Sequence, residues 1–162
     1  MEKISKVQNC SFGKCLVADV SINTATIVQK IEGEVFKWEN ISSSEICHAI
    51  LINDDNWIII NTDARYINHS CDPNCSINEN LEVVSLRPIQ AGEQLTISYN
   101  IVHKGENPGT WDPRWSFKCL CGANNCLGFI DKYINEDGNI WTPPLGELQK
   151  IYIPKEINEK ID

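Results

Sequence analysis

Three cysteines stand within eight residues at Cys119-Leu120-Cys121-Gly122-Ala123-Asn124-Asn125-Cys126. Thiolates are soft ligands, and this spacing, with Gly and Asn to ease the turn, can set three sulfurs around one ion. Zinc takes four ligands in a tetrahedron, with sulfur about 2.3 Å from the metal. The fourth must come from elsewhere. Cys71 and Cys75, in Asn68-His69-Ser70-Cys71-Asp72-Pro73-Asn74-Cys75, are the leading candidates. Four sulfurs leave no open coordination position, so such a metal is structural rather than catalytic. The competing reading is a set of free or redox-active thiols. The second stretch, begun at Ala64-Arg65-Tyr66-Ile67, sets amide, imidazole, hydroxyl and thiol groups in a row before a proline turn. Alone, such a row is more often a hydrogen-bonded loop than a site.

These groups need a scaffold. The chain has 162 residues, 42% hydrophobic and 22% charged, enough for one domain with its own core. Residues 14–20 and 25–30 carry Val, Ile and Thr between turn-formers, with Asn23 and Gly33 as corners, and read as strands. Trp57 to Ile60 reads as a short buried strand, and residues 81–86 and 94–99 as two more. Pro88 and Gly92 make residues 87–93 a turn between the last two. Ser42 and Glu45 have capping-box spacing, which predicts a short helix through Ile50. Residues 100–115 read as a polar loop and 143–162 as a short closing segment. Trp38 and Trp57 are expected in the core, His48 and His103 in solvent, and Trp111 and Trp115 around the metal or along a pocket wall. No repeat emerges. The expected class is mainly β.

Acidic residues outnumber basic ones by 22 to 14, for a net charge of -8 and a pI near 4.9. That disfavours direct nucleic-acid binding, which needs Lys and Arg to displace counterions, and suits a basic partner. No apolar run is long enough to span a membrane, and Met1-Glu2-Lys3-Ile4-Ser5-Lys6 opens no secretory signal. The expected compartment is intracellular, cytoplasm or nucleus, where eight cysteines are metal ligands or buried thiols rather than disulfides. No Gly-rich phosphate loop and no Ser-His-Asp arrangement stands out, so kinase and hydrolase chemistry has no footing.

Taken together, the motifs resemble the SET-domain methyltransferases. Their signature Arg-aromatic-x-Asn-His-Ser-Cys-x-Pro-Asn is matched by Arg65-Tyr66-Ile67-Asn68-His69-Ser70-Cys71-Asp72-Pro73-Asn74. A second, Gly-Glu-Glu-Leu-Thr-x-Asp-Tyr, is matched by Gly92-Glu93-Gln94-Leu95-Thr96-Ile97-Ser98-Tyr99. The post-SET cysteine pattern is matched at Cys119, Cys121 and Cys126, and all three follow the family's order. The resemblance implies a SET domain over residues 1–115, a fold of small curved sheets with a pseudoknot. A zinc-binding post-SET segment over 116–130 and a tail over 131–162 would follow. It implies S-adenosylmethionine on one face and a protein lysine on the other, joined by a narrow channel. Gly13, Lys14, Cys15, Arg65, Asn68, His69 and Leu127 match cofactor-binding positions, with Leu127 and Phe129 as a cover. Tyr99 matches the catalytic tyrosine, and Cys71 completes the structural zinc site with Cys119, Cys121 and Cys126, leaving Cys75 as an extra thiol. Without the resemblance, Tyr99 reads as an aromatic at a strand end.

Four positions depart from the family pattern. Gly13-Lys14-Cys15 replaces Gly-x-Gly, and a positive φ at Cys15 would be strained. Ile31-Glu32-Gly33 replaces Tyr-x-Gly, Ile97 stands where an aromatic often governs methyl number, and Ser98 replaces Asp. The implied activity is a protein-lysine N-methyltransferase. Two alternatives share the scaffold: a methyltransferase of a small amine or special residue, and a catalytically weak binding module.

Overall fold

In the computed structural model, which describes residues 3–11, 13–42, 44–53, 56–99, 102–104, 117–126, 128–130, 132–134 and 140–141, the chain forms two units, Met1–Ser98 and Tyr99–Asp162. The first opens with a hairpin, β1 (Ser5–Cys10) against β2 (Gly13–Ala18), in antiparallel register from Ser5 opposite Ala18 to Cys10 opposite Gly13. The sequence predicts β2 but not β1, whose Ser-Lys-Val-Gln-Asn-Cys carries one branched aliphatic residue. β1 forms because the buried strand β2 offers it an edge. On the opposite edge, Leu95 N–H donates to Leu16 O, Ala18 N–H to Glu93 O, and Ile22 and Ile89 exchange two bonds. Leu16, Ile89 and Leu95 are wholly buried at this seam, each worth about 1.5–3 kcal/mol in removed apolar surface.

Two three-stranded antiparallel sheets follow. One has β6 (Asn56–Ile60) between β4 (Gly33–Lys37) and β5 (Ala49–Asn53). The other has β9 (Glu82–Ser85) between β3 (Ile27–Lys30) and β8 (Cys75–Ile77). The last pair, β7 (Asn68–His69) and β10 (Thr96–Ile97), is parallel. β6 is the expected buried strand, and Trp57 packs its ring 4.8 Å from that of Trp38.

The helix predicted through Ile50 does not form. Ser42 Oγ bonds the Glu45 carboxylate side chain to side chain, not through the backbone N–H groups as a capping box does, and only a single 3-10 turn, Ile46–His48, follows. Ala49-Ile50-Leu51 instead pairs with β6, the register shifting before Asn53, and branched side chains fit a pleated surface better than a helix. His48, expected in solvent, is half-buried, and its Nδ1 is shielded without a partner among the described residues. Burial and then the Arg65 charge lower its pKa.

In the second unit, β11 (Val102–Lys104) runs parallel to β14 (Lys132–Ile134), which pairs with β15 (Ile140–Trp141). β12 (Phe117–Lys118) pairs antiparallel with β13 (Phe129–Ile130). Part of the expected polar loop, His103 included, is therefore strand. Trp111, Trp115 and the closing segment lie outside the described residues.

Gly33, read from sequence as a corner, opens β4 opposite Ile60, where a Cβ would fall 1.8 Å from Ile59 O. Backbone is the obstacle, so no rotamer relieves it. Gly33→Ala is expected to destabilise the fold by about 2 kcal/mol or more, read as a lower urea midpoint with unchanged slope.

Candidate cofactor face and cysteine cluster

The Asn-His stretch is held in the first unit by a ladder only two residues long. Asn68 pairs with Thr96 and His69 with Ile97, and Ser70 N–H donates to Ile97 O at 2.9 Å. The Asn74 side chain extends this hold. Its Nδ2 donates to Gln94 O at 2.8 Å and Glu93 Oε1 at 3.1 Å, while its Oδ1 accepts from Thr96 N at 2.8 Å. At 2% exposure, that amide is fully occupied. Glu93 is fixed in turn by Arg87 at 2.6 Å and Gln90 N–H at 3.0 Å. The hydrogen bond from Arg87, followed by those from Gln90 and Asn74, holds its carboxyl below the usual range.

Several residues matched to the cofactor lie together here. Asn68 Nδ2 donates to Lys14 O at 3.3 Å, tying the Asn-His signature to the Gly13-Lys14-Cys15 strand. Lys14 Nζ stands 5.3 Å from the centre of the Tyr66 ring, and the Arg65 guanidinium 5.7 Å from it, so one aromatic ring gathers both cations. Arg65 Nε is buried with no acceptor among the described residues. Gly13 has φ +105, and a Cβ there would meet nothing within 4 Å. Cys15 lies in regular strand opposite Gln8 and is not among the residues with positive φ, so the strain expected of it does not arise. Tyr66 and Cys10, whose Sγ lies 3.9 Å from Asn68 Nδ2, carried no separate signal in the sequence.

The cysteines divide by unit. In the first, His69 Nε2 lies 3.3 Å from Cys71 Sγ. Cys75 is buried in β8, and burial pushes its thiol up to about 11. A metal ligand must give up that proton, so of the two candidates Cys71 is better suited. In the second unit the Cys119 and Cys121 sulfurs lie within 4.8 Å of one another. Cys126 Sγ accepts from Gly128 N–H at 3.4 Å, and Cys119 N–H donates to Gly128 O at 3.0 Å. Gly122 and Gly128, at φ +72 and +80, supply the left-handed turns that fold this short segment around its sulfurs.

The SET domain family model matches residues 13–100, more than half of the chain. The chain belongs to the SET domain family. A histone-lysine N-methyltransferase of Chaetomium globosum, H3 lysine-36 specific, is 36% identical over 73 residues, 41% of this chain and 7% of that protein. One from Saccharomyces cerevisiae, H3 lysine-4 specific, is 37% identical over 75 residues, 42% of this chain and 6% of that protein. The chain thus spans under a tenth of the length of these relatives. The crystal structure of a Plasmodium falciparum protein, itself a candidate histone methyltransferase, superposes with TM-score 0.54 at 17% identity. It covers 62% of this chain and 96% of that one, a likeness of fold.

Two departures from the SET pattern have structural consequences. Ile31 is buried at 3%, a core side chain where the family often has a hydroxyl. Ile97 lines a recess of about 220 Å³ with Ile77, Pro73, Leu86 and Ser98. That is smaller than the roughly 300–1,000 Å³ of small-molecule sites, and no residue matched to the cofactor lines it. Tyr99 begins the second unit and is half-buried. Leu127 lies outside the described residues.

Asn74→Ala removes partners from Thr96 N–H and Gln94 O. It is expected to cost about 2–4 kcal/mol in urea unfolding, since each stranded polar group costs about 1–3 kcal/mol. Glu93 yields a pH test. A depressed carboxyl contributes stability above its unfolded pKa of about 4.3 and loses it as pH falls through the folded value. The urea midpoint of the native protein should therefore fall more steeply below about pH 5 than that of Glu93→Gln.

Proposed function

We propose that the chain is an S-adenosylmethionine-dependent protein-lysine N-methyltransferase. Its SET domain covers residues 1–115, a zinc-binding post-SET segment 116–130 and a tail 131–162. The observation that carries this reading is the bond from Asn68 of the Asn-His signature to the Lys14 backbone, within a chain bearing all three signatures in order. The names of the relatives, histone-lysine N-methyltransferases, support the reaction class.

The residues present fit the cofactor. Gly13 faces open space, Asn68 supplies an amide beside it, and Arg65 Nε is a buried donor suited to a carboxylate. When bound, S-adenosylmethionine supplies a methyl group already activated by its sulfonium. Gly13, Lys14, Cys15, Arg65, Asn68, His69 and Leu127 bind and orient it. Tyr99 directs the incoming amine through its hydroxyl and helps exclude water. A lysine amine of pKa about 10.4 must lose its proton first, and a dry channel lowers that pKa by disfavouring the charged form. Positioning is then most of the catalysis.

The zinc fits by donor chemistry. Cys71, Cys119, Cys121 and Cys126 are four thiolates, a closed structural set. The Gly128 N–H on Cys126 and the His69 ring beside Cys71 are the outer contacts that orient such ligands. The substrate is a lysine in a protein or peptide, and the net charge of -8 favours a basic one. Among the described residues no helix is long and apolar enough to cross a membrane. On the names of its histone-lysine methyltransferase relatives, we place the enzyme inside the cell.

The test is transfer of labelled methyl from S-adenosylmethionine to histones, cell-extract proteins and small amines, with zinc-replete protein. Label on a protein lysine is expected, and Tyr99→Phe should reduce turnover by about 10²-fold while cofactor affinity and zinc content hold. Label confined to small amines would move the substrate class. Cofactor binding without transfer to anything would make the chain a binding module. Chelation is expected to release one zinc per chain and lower the melting temperature, read by metal analysis and calorimetry.

A further inference from the structure

Cys10 and Cys15 occupy one face of the first hairpin. Cys10 stands opposite Gly13 and Cys15 opposite Gln8, so the two cysteines are diagonal neighbours across the strands. Gly13 puts no side chain across from Cys10, and the Cys10 thiol meets Cys15 instead. Burial first, and then the hydrogen bond that the Cys15 thiol gives to Cys10, push the Cys15 thiol up to about 11. Exposure separates the two: Cys15 is 1% exposed, whereas Cys10 is partly open to solvent. The Asn68 amide touches both parts of this arrangement, reaching Cys10 Sγ at 3.9 Å and Lys14 O at 3.3 Å. Cys15 also stands where the family pattern has Gly, so the pair arises from a departure from that pattern.

We propose that Cys10 is a modification site for peroxides, with Cys15 as its resolving thiol, and that the Cys10–Cys15 disulfide closes the cofactor face. Accessible thiols beside a resolving cysteine are the usual architecture of such sites. Hydrogen peroxide transfers one oxygen to the Cys10 sulfur, forming the sulfenic acid and releasing one water. The Cys15 thiol attacks that sulfur as its proton passes to the departing oxygen, the S–O bond breaks, and a second water leaves. Two thiols lose two electrons and two protons, and the peroxide is reduced to two waters.

The effect on the face follows from geometry. Diagonal pairs across antiparallel strands stand about 7–8 Å apart, whereas a relaxed disulfide has Cα atoms about 4.4–6.8 Å apart. Closing the bond draws the strands together at residues 10 and 15, shifts the Lys14 carbonyl and takes the Cys10 sulfur from Asn68. The strain of such a bond makes it readily reducible, which renders the change reversible. That the ligand lost is S-adenosylmethionine rests on the methyltransferase reading above.

The experiment uses the full zinc-loaded chain, wild type, Cys10→Ser and Cys10→Ala. S-adenosylmethionine affinity is measured by calorimetry before peroxide, after it and after dithiothreitol, with zinc content followed throughout. A non-reducing tryptic map reads the bond directly, because cleavage after Lys6, Lys14 and Lys30 places Cys10 in peptide 7–14 and Cys15 in peptide 15–30. Expected for wild type are the linked peptides and a cofactor affinity at least about tenfold weaker, restored by dithiothreitol. Each Cys10 variant should keep its own starting affinity through the same treatment. Absence of the linked peptides overturns the proposal, as does their appearance without loss of affinity. An equal loss in the Cys10 variants also overturns it and points to the zinc cysteines. Reduced wild type that binds no S-adenosylmethionine refutes the methyltransferase reading, and the gating fails with it even if the linked peptides appear.

Discussion

The first unit depends on one buried amide. β7 and β10 share two paired residues, too few for backbone hydrogen bonds alone to fix their register. The Asn74 side chain supplies the rest, bonding Thr96 N–H, Gln94 O and the Glu93 carboxylate from one position. Its burial makes each bond obligatory, because a donor or acceptor left unpaired there has no water to turn to. Glu93 carries the constraint outward to Arg87 and Gln90. The segment that ends at Thr96, three residues before Tyr99, is thereby tied to the loop that follows Asn68 and His69.

Around that tie the candidate chemistry is assembled from short pieces. Lys14 comes from an edge hairpin, Arg65 and Tyr66 from a single 3-10 turn, and Asn68 from a two-residue strand. None of these elements would be stable by itself. Leu16, Ile89 and Leu95, wholly buried along the adjoining seam, supply the apolar burial that steadies them. Such a design suits a reaction whose demands are orientation and exclusion of water. Ile31 and Ile97 are both buried aliphatic side chains of that core.

The linear chain displayed ligand types and catalytic types well. The cysteine spacing, the Asn-His-Ser-Cys row and the tyrosine after a Gly-Glu-Gln-Leu-Thr stretch are local patterns that need no partner to be read. Buried strands such as β6 were visible for the same reason, since three consecutive isoleucines after Trp57 mark burial on both faces. β1 was not, because its side chains are mostly polar and its existence depends on the edge of β2. The capping signal at Ser42 and Glu45 was real as a contact yet misleading as a helix, because β6 claimed the isoleucines that follow.

What the sequence determined by itself was therefore the inventory: a mainly β chain, a cluster of thiols fit for zinc, and the signatures of the SET domain family. The tertiary structure alone decided which groups meet. Gly33 is required by Ile59 O, Asn68 is bound to Lys14 O, Cys10 is set beside Cys15 and Asn68, and Cys75 is sealed into a sheet while Cys71 stands beside His69. The reason is physical. Residue type and short spacing set what a side chain can do. Burial, register and hydrogen-bond satisfaction are properties of segments distant in sequence, and only the folded chain brings them together.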